Sequence, residues 1–169
     1  MRPVSATHTM TIAGLVLAFW LSAYGGGHAE GLAPFEKLAG QWSGKGTIDF
    51  SDGTQEPIRC RAAYDVLEHQ NNLQLNIRCA SQSYSFDLRG SANYAAGGIT
   101  GTWSESTRNA AGTISGKADG DRFEVLAKGP SFSARLTLIT RGDRQSVAIR
   151  SQDAQTGVKG ASIKLQRGS

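Results

Sequence analysis

The chain has 169 residues, of which 19% are charged and 8% aromatic, and 18 Lys and Arg against 14 Asp and Glu give it a formal net charge of +4. This length allows one domain with a modest hydrophobic core. The small positive charge favours anionic partners only weakly. No block of Lys and Arg interleaved with aromatic residues occurs, so nucleic acid is not expected as a partner.

The N-terminal segment has the pattern of a secretory signal peptide. Arg2 precedes an apolar stretch from Met10 to Ala23, which is shorter than the roughly 20 residues that span a bilayer. Gly27 and Ala29 supply the small residues that a cleavage site before Glu30 requires. A retained membrane anchor is the alternative.

We therefore predict a signal peptide over residues 1–29 and a single domain over residues 30–169. The mature protein is expected in the periplasm or outside the cell, with no transmembrane segment after cleavage.

A short helical turn and a strand open the predicted domain. The run Leu32–Ser43 is amphipathic and leads into Gly40-Gln41-Trp42, and the strand that follows places Trp42, Ile48 and Phe50 on one face. Ser51-Asp52-Gly53 then turns the chain.

The rest of the chain alternates apolar and polar residues in short segments that are separated by turn signals. The pattern predicts an all-β fold, an up-and-down antiparallel barrel of eight to ten strands in which closure removes exposed edges. The expected inward residues of the later strands are, in order, Ile58, Cys60, Ala62, Tyr64 and Val66; Leu73, Leu75, Ile77 and Cys79; Tyr84, Phe86 and Leu88; Ile99, Gly101 and Trp103; Ile114, Gly116 and Ala118; Phe123, Val125 and Ala127; Phe132, Ala134, Leu136 and Leu138; Val147 and Ile149; Ala161, Ile163 and Leu165.

The second and third strands predict their own register and a disulfide. In an antiparallel hairpin, paired residue numbers add up to a constant. The value 139 pairs Cys60 with Cys79 and also matches every other inward residue of the two strands. A disulfide there would close a loop of about 20 residues and stabilise the fold by roughly 3 kcal/mol. Free thiols or a metal pair are the alternative, but His69 is the single histidine after residue 29, so no metal site is expected.

Gly40-Gln41-Trp42 after a helical turn resembles the opening of calycin-type barrels, the group that includes lipocalins, fatty-acid-binding proteins and avidins. The resemblance implies that Trp42 closes one barrel end, with Arg167 packed over it. Gly101-Thr102-Trp103-Ser104 resembles an avidin opening strand but lies in the middle of the chain. The Gly-Gln-Trp followed by a cysteine pair is also similar to periplasmic inhibitors of secreted metalloproteases, whose inserted N-terminal segment would correspond here to Glu30–Phe35.

The sequence argues against catalysis. A serine nucleophile needs a positioned base, and His69 stands alone in a predicted hairpin loop. Glycoside hydrolysis needs two facing carboxylates, whereas Glu105 is the single acid on a predicted inner face. Haem ligation would need a histidine on a late strand, and the sequence has none after His69. We therefore expect no enzyme activity, no catalytic residue, no cofactor and no metal.

The candidate ligand-binding residues are those that bring a polar group to the predicted interior: Trp103, Glu105, Tyr64 and Tyr84. The alternative is that these side chains only fill the core or, for Glu105, that the carboxylate lies at the barrel rim. The predicted register also sets Arg61 opposite Arg78, with Arg59 beside them, as a candidate anion-binding patch on the outer face.

Together these features predict a non-catalytic secreted or periplasmic protein that binds a small apolar or amphipathic ligand. The alternative is an interaction protein of the cell envelope, either a protease inhibitor or a binder of anionic lipid or polysaccharide.

Overall fold

Ten antiparallel strands follow one another around a closed barrel. The computed structural model describes residues 34–67, 71–153 and 157–168. The predicted signal peptide and His69 lie outside these residues. A 3-10 turn at Glu36–Leu38 precedes the strands, which are β1 Gly40–Phe50, β2 Gln55–Leu67, β3 Asn72–Ala80, β4 Ser85–Ala95, β5 Gly98–Glu105, β6 Ala110–Asp119, β7 Arg122–Lys128, β8 Ser133–Arg141, β9 Arg144–Ser151 and β10 Val158–Arg167.

Each strand pairs with the next along the chain, and β1 pairs with β10 to close the barrel. The predicted all-β, up-and-down architecture with an N-terminal helical turn is confirmed, and the strand count is the upper end of the predicted range. Within the described ranges, no helix has the length and apolar character needed to cross a bilayer.

The predicted register between β2 and β3 is also confirmed. Cys60 lies opposite Cys79, and Tyr64 lies opposite Leu75. The two cysteines have Cα atoms 4.1 Å apart and are joined as a disulfide. Successive side chains of a strand point to opposite faces, so the residues next to the two cysteines point outward. Arg61 therefore faces Arg78 on the outer wall.

Glycines on β1 let the first and last strands approach closely. A Cβ atom at Gly44 would overlap the backbone of Lys164, and one at Gly46 would overlap that of Ser162. Both are inward positions, in line with Trp42 and Ile48. Side chains there would push the seam apart, so the glycines permit the sharp bend that closes the barrel.

The two barrel ends are built differently. At the end where β1 begins, the 3-10 turn and the residues beside it bury the side chains of Phe35, Leu38 and Trp42. The opposite end is formed by the hairpins after β1, β3, β5, β7 and β9, and its aromatic side chains include Tyr84 and Phe132, which are only partly buried. The first end is therefore plugged by the N-terminal segment, and the second is covered by side chains of the barrel itself.

Candidate functional site

An apolar cavity of about 170 Å³ lies inside the barrel. Its wall is made by inward side chains from most of the strands and by the N-terminal plug. Of the described residues that line it, Tyr64 carries the sole hydroxyl and Trp103 the sole side-chain N–H; representative apolar members are Phe35, Leu73, Phe86, Phe123, Leu138 and Ile163. The cavity therefore offers shape and burial, with very few polar contacts.

The Tyr64 hydroxyl is already engaged within the protein. It donates to Oε1 of Gln145 over 3.1 Å, and Nε2 of Gln145 donates to Oγ1 of Thr140 over 3.0 Å. Gln145 and Thr140 are each 1% exposed. Burial raises the pKa of Tyr64 far above its usual value, so the phenol stays neutral and presents its ring to the cavity.

Sequence reasoning missed the Gln145 and Thr140 partners of this network. Gln145 lies two residues before Val147, a predicted inward position of the same strand. Because side chains two residues apart on a strand point to the same face, the inward position of Gln145 could have been predicted from that of Val147.

Trp103 differs from Tyr64 because its polar atom has no partner. The side chain is 5% exposed and packs edge-on against Phe132, with the ring centroids 5.6 Å apart. Its indole Nε1 is buried and finds no hydrogen-bond acceptor among the described residues. A buried donor without an acceptor costs about 1–3 kcal/mol, and Trp103 is the cavity-lining residue of the described chain that carries such a donor.

Glu105 is held by the hairpin that follows β5 and is not part of the cavity wall. Its carboxylate accepts hydrogen bonds from the backbone N–H groups of Asp87, Thr107 and Arg108, and from the Thr107 hydroxyl. Burial by itself raises the pKa of Glu105, but these hydrogen bonds together outweigh it and hold the pKa below the usual 4.5. In this structure the carboxylate organises the turn.

Tyr84 also lies outside the cavity wall. Its ring contacts Phe50 and Phe86 at centroid distances of 6.3 and 6.4 Å, and the Arg108 guanidinium lies 4.1 Å from its centroid. Of the four candidate ligand-binding residues, Trp103 and Tyr64 meet at the cavity, whereas Glu105 and Tyr84 belong to the hairpin end.

Trp42 and Arg167 meet at the plugged end. The Arg167 guanidinium carbon lies 4.3 Å from the Trp42 ring centroid, and its nitrogens donate to the carbonyl oxygens of Ala39 and Lys37. The Trp42 indole donates to the carbonyl of Leu38 over 2.8 Å. Neither residue lines the cavity.

The three candidate anion-binding arginines, Arg59, Arg61 and Arg78, are all exposed on the outer wall. Nε of Arg78 donates to Oδ2 of Asp87 on the next strand over 2.8 Å. This ion pair was not predicted from the sequence, because the register was matched only for β2 and β3. The β3–β4 pairing sets Arg78 directly opposite Asp87.

The chemistry open to this interior is limited. The described cavity wall contains no carboxylate and no imidazole, and the described parts of the chain hold no cluster of three or more His, Cys, Asp and Glu that could bind a metal ion. The described interior is therefore lined almost wholly by apolar side chains.

Comparisons with known proteins identify the fold. No family model and no curated protein sequence matches the chain. Rv2717c from M. tuberculosis matches in structure with a TM-score of 0.64 and 12% identity over 79% of this chain and 94% of that one. The S-type phycobiliprotein lyase CPES from Guillardia theta matches with a TM-score of 0.57 and 12% identity over 80% of this chain and 90% of that one. The fold is calycin-like. At 12% identity, the two structures show that the chain shares their fold, and a shared fold does not imply a shared function.

Proposed function

We propose that this calycin-like barrel is a non-catalytic binding protein that encloses a small apolar ligand bearing one hydrogen-bond acceptor. The observation that carries the proposal is the apolar cavity that Trp103 helps to line, together with the indole N–H of that residue, which is buried and unpartnered among the described residues. The ligand would supply the acceptor that the protein lacks.

The size of the cavity supports a small ligand. An engineered apolar cavity of about 150 Å³ holds a benzene-sized molecule, and this cavity measures about 170 Å³. Drug-sized ligands occupy pockets of roughly 300–1,000 Å³. A single ring or a short branched chain therefore fits, whereas a whole lipid does not.

A secreted or periplasmic location forms part of the proposal. It is supported by the signal-peptide pattern of residues 1–29 and by the Cys60–Cys79 pair, since disulfides persist in oxidising compartments. The phycobiliprotein lyase among the structural neighbours indicates that such a barrel is compatible with handling a small molecule.

The protease-inhibitor alternative gains no support from the described residues. It needs a free N-terminal segment ending at Phe35. That side chain is 1% exposed and stacks on Phe123 within the barrel, with centroids 6.1 Å apart, so it serves the plug.

The proposal is tested with two probes of equal shape, cyclohexanone and methylenecyclohexane, titrated by calorimetry or NMR. Because the two probes bury a similar apolar shape, the ratio of their Kd values reports the effect of the carbonyl oxygen of cyclohexanone on binding. Relative to the wild type, Trp103→Phe should shift this ratio against cyclohexanone by about tenfold, because the bound ketone loses its donor.

Trp42→Phe is the matched control, since it removes an indole that does not line the cavity, and it should leave the ratio unchanged. Failure of both probes to bind, or an equal ratio in wild type and Trp103→Phe, would overturn the proposal. Native mass spectrometry of protein purified from its own cells then gives the mass of the natural ligand.

A further inference from the structure

A cationic face covers the outer wall on both sides of the seam where β1 meets β10. We define it by five exposed side chains on four adjacent strands: Lys164 of β10, Lys45 of β1, Arg59 and Arg61 of β2, and Arg78 of β3. Lys45 and Lys164 were not predicted as members because the register was matched only for β2 and β3, and the pairing of Lys45 with Lys164 joins the first and last strands of the chain.

The strand register brings like charges directly opposite one another. Lys45 faces Lys164 on one side and Arg59 on the other, and Arg61 faces Arg78. Neighbouring strands lie about 4.8 Å apart, so the row of three cations crosses about 10 Å of the wall. Like charges placed opposite each other destabilise a sheet, so the arrangement is unfavourable for folding alone.

Little on the protein neutralises this face. Arg78 pairs with Asp87, while Lys45, Arg59, Arg61 and Lys164 have no ion pair in the described ranges. By contrast, β5, which β4 separates from β3, carries uncharged outward side chains: Thr100, Thr102 and Ser104.

The geometry suits many separate anions better than one. The backbone N–H groups around the cations belong to the strand pairings, so they do not converge on a single anion as they do at a dedicated phosphate site. A shallow depression of about 430 Å³ lies between Lys45, Arg59, Arg61 and Arg78. The cations themselves spread over four strands of the outer wall.

We propose that the cationic face docks the barrel onto a membrane surface rich in anionic lipid headgroups. Each headgroup carries its own charge and can move laterally, so a two-dimensional array of cations engages several of them at once. Leu67, the exposed large apolar side chain of the described residues, lies at the far end of β2 from Arg59. Contact is therefore electrostatic, without apolar insertion, and is independent of whether the cavity holds a ligand.

The test compares two triple variants that lose the same charge. One removes the central row of the face, Lys45→Ser, Arg59→Ser and Lys164→Ser. The other removes three exposed cations from β4, β6 and β7, Arg89→Ser, Lys117→Ser and Lys128→Ser. Binding is measured by co-sedimentation with vesicles containing phosphatidylglycerol and with vesicles of phosphatidylcholine alone.

Wild type should bind the anionic vesicles, lose that binding in high salt and ignore the neutral ones. The variant of the face should bind on the order of a hundredfold more weakly, and the control variant nearly as well as wild type. The variant of the face should also unfold at no lower a temperature than wild type, because it loses repulsion.

Equal weakening in both variants would show that net charge alone acts and would overturn the proposal. So would an absence of binding to anionic vesicles, or tighter binding to a soluble acidic polysaccharide than to the vesicles. The vesicle assay does not depend on the titration of the cavity with the two probes. Membrane docking and ligand binding can therefore be overturned independently of each other.

Discussion

Two tryptophans stand in the same local sequence, Gly-x-Trp-Ser, yet the barrel uses them in opposite ways. Trp42 is 2% exposed, donates its indole N–H to Leu38 and lies under the guanidinium of Arg167. Trp103 is 5% exposed, and its N–H has no acceptor among the described residues. Both are buried, but only the second leaves a polar group unsatisfied.

The difference indicates that the plugged end, where Trp42 lies, contributes to the stability of the fold. At Trp42 the indole N–H has its acceptor and the guanidinium of Arg167 lies over the ring, so the indole offers no free donor to a ligand. At Trp103 the protein tolerates a cost of about 1–3 kcal/mol in its empty form. An identical motif therefore does not imply an identical role, and hydrogen-bond satisfaction separates the two.

The same substitution at each motif tests this contrast most directly. Trp42→Phe leaves the buried carbonyl of Leu38 without its donor and opens space under Arg167, so we expect it to lower the free energy of unfolding by about 3 kcal/mol. Trp103→Phe removes an unsatisfied donor along with some packing, so the loss should be about 1 kcal/mol or less. Urea denaturation of both variants measures the difference. Equal losses would contradict the contrast.

Arg167 tests how firmly the plugged end is held. Arg167→Met keeps much of the side chain's apolar length but removes the donors to Ala39 and Lys37 and the cation above Trp42. We expect about 2 kcal/mol of lost stability, because two carbonyls lose charged donors. Arg167→Lys should recover only part of it, since an ammonium cannot reproduce the planar fork. Full recovery by lysine would mean that charge alone matters at this end.

Glu105 gives the smallest expected effect and probes the hairpin end through pH. Its pKa is lower in the folded state than the usual 4.5, so it contributes stability above the unfolded pKa, and that stability is lost as the pH falls through the folded value. Glu105→Gln should cost about 1 kcal/mol at pH 7 and less in acid, because the lost bonds are charge-assisted. Unfolding curves for both proteins at pH 7 and pH 3 measure the change. A gap that stays constant with pH would contradict this role.

The fold could be predicted because its signals are local. A period of two, punctuated by turns such as Asp119-Gly120-Asp121, marks each strand. The register of β2 and β3 followed from matching inward residues across a single hairpin. In an up-and-down barrel neighbouring strands are also neighbours in sequence, so such local matching carries most of the topology.

The site was harder to predict because its properties arise between distant segments. Sequence alternation placed Trp103 and Tyr64 inside, but it could not show that Gln145, 81 residues away, occupies the Tyr64 hydroxyl. Glu105 has the parity of an inward residue, yet it lies at the end of β5, where its carboxylate reaches the turn that follows. Partner choice at a strand end depends on the loop conformation, which alternation does not encode.

The Cys60–Cys79 disulfide has a consequence for the outer wall. The bonded pair lies directly next to Arg61 and Arg78 in the register, so the covalent link clamps the two strands together at the point where their outward cations repel. Reduction would remove that link and leave β2 and β3 joined there by their backbone pairing. We therefore expect the disulfide to help hold the outward cations at their spacing, and that spacing to be less tightly fixed when the cysteines behind it are reduced.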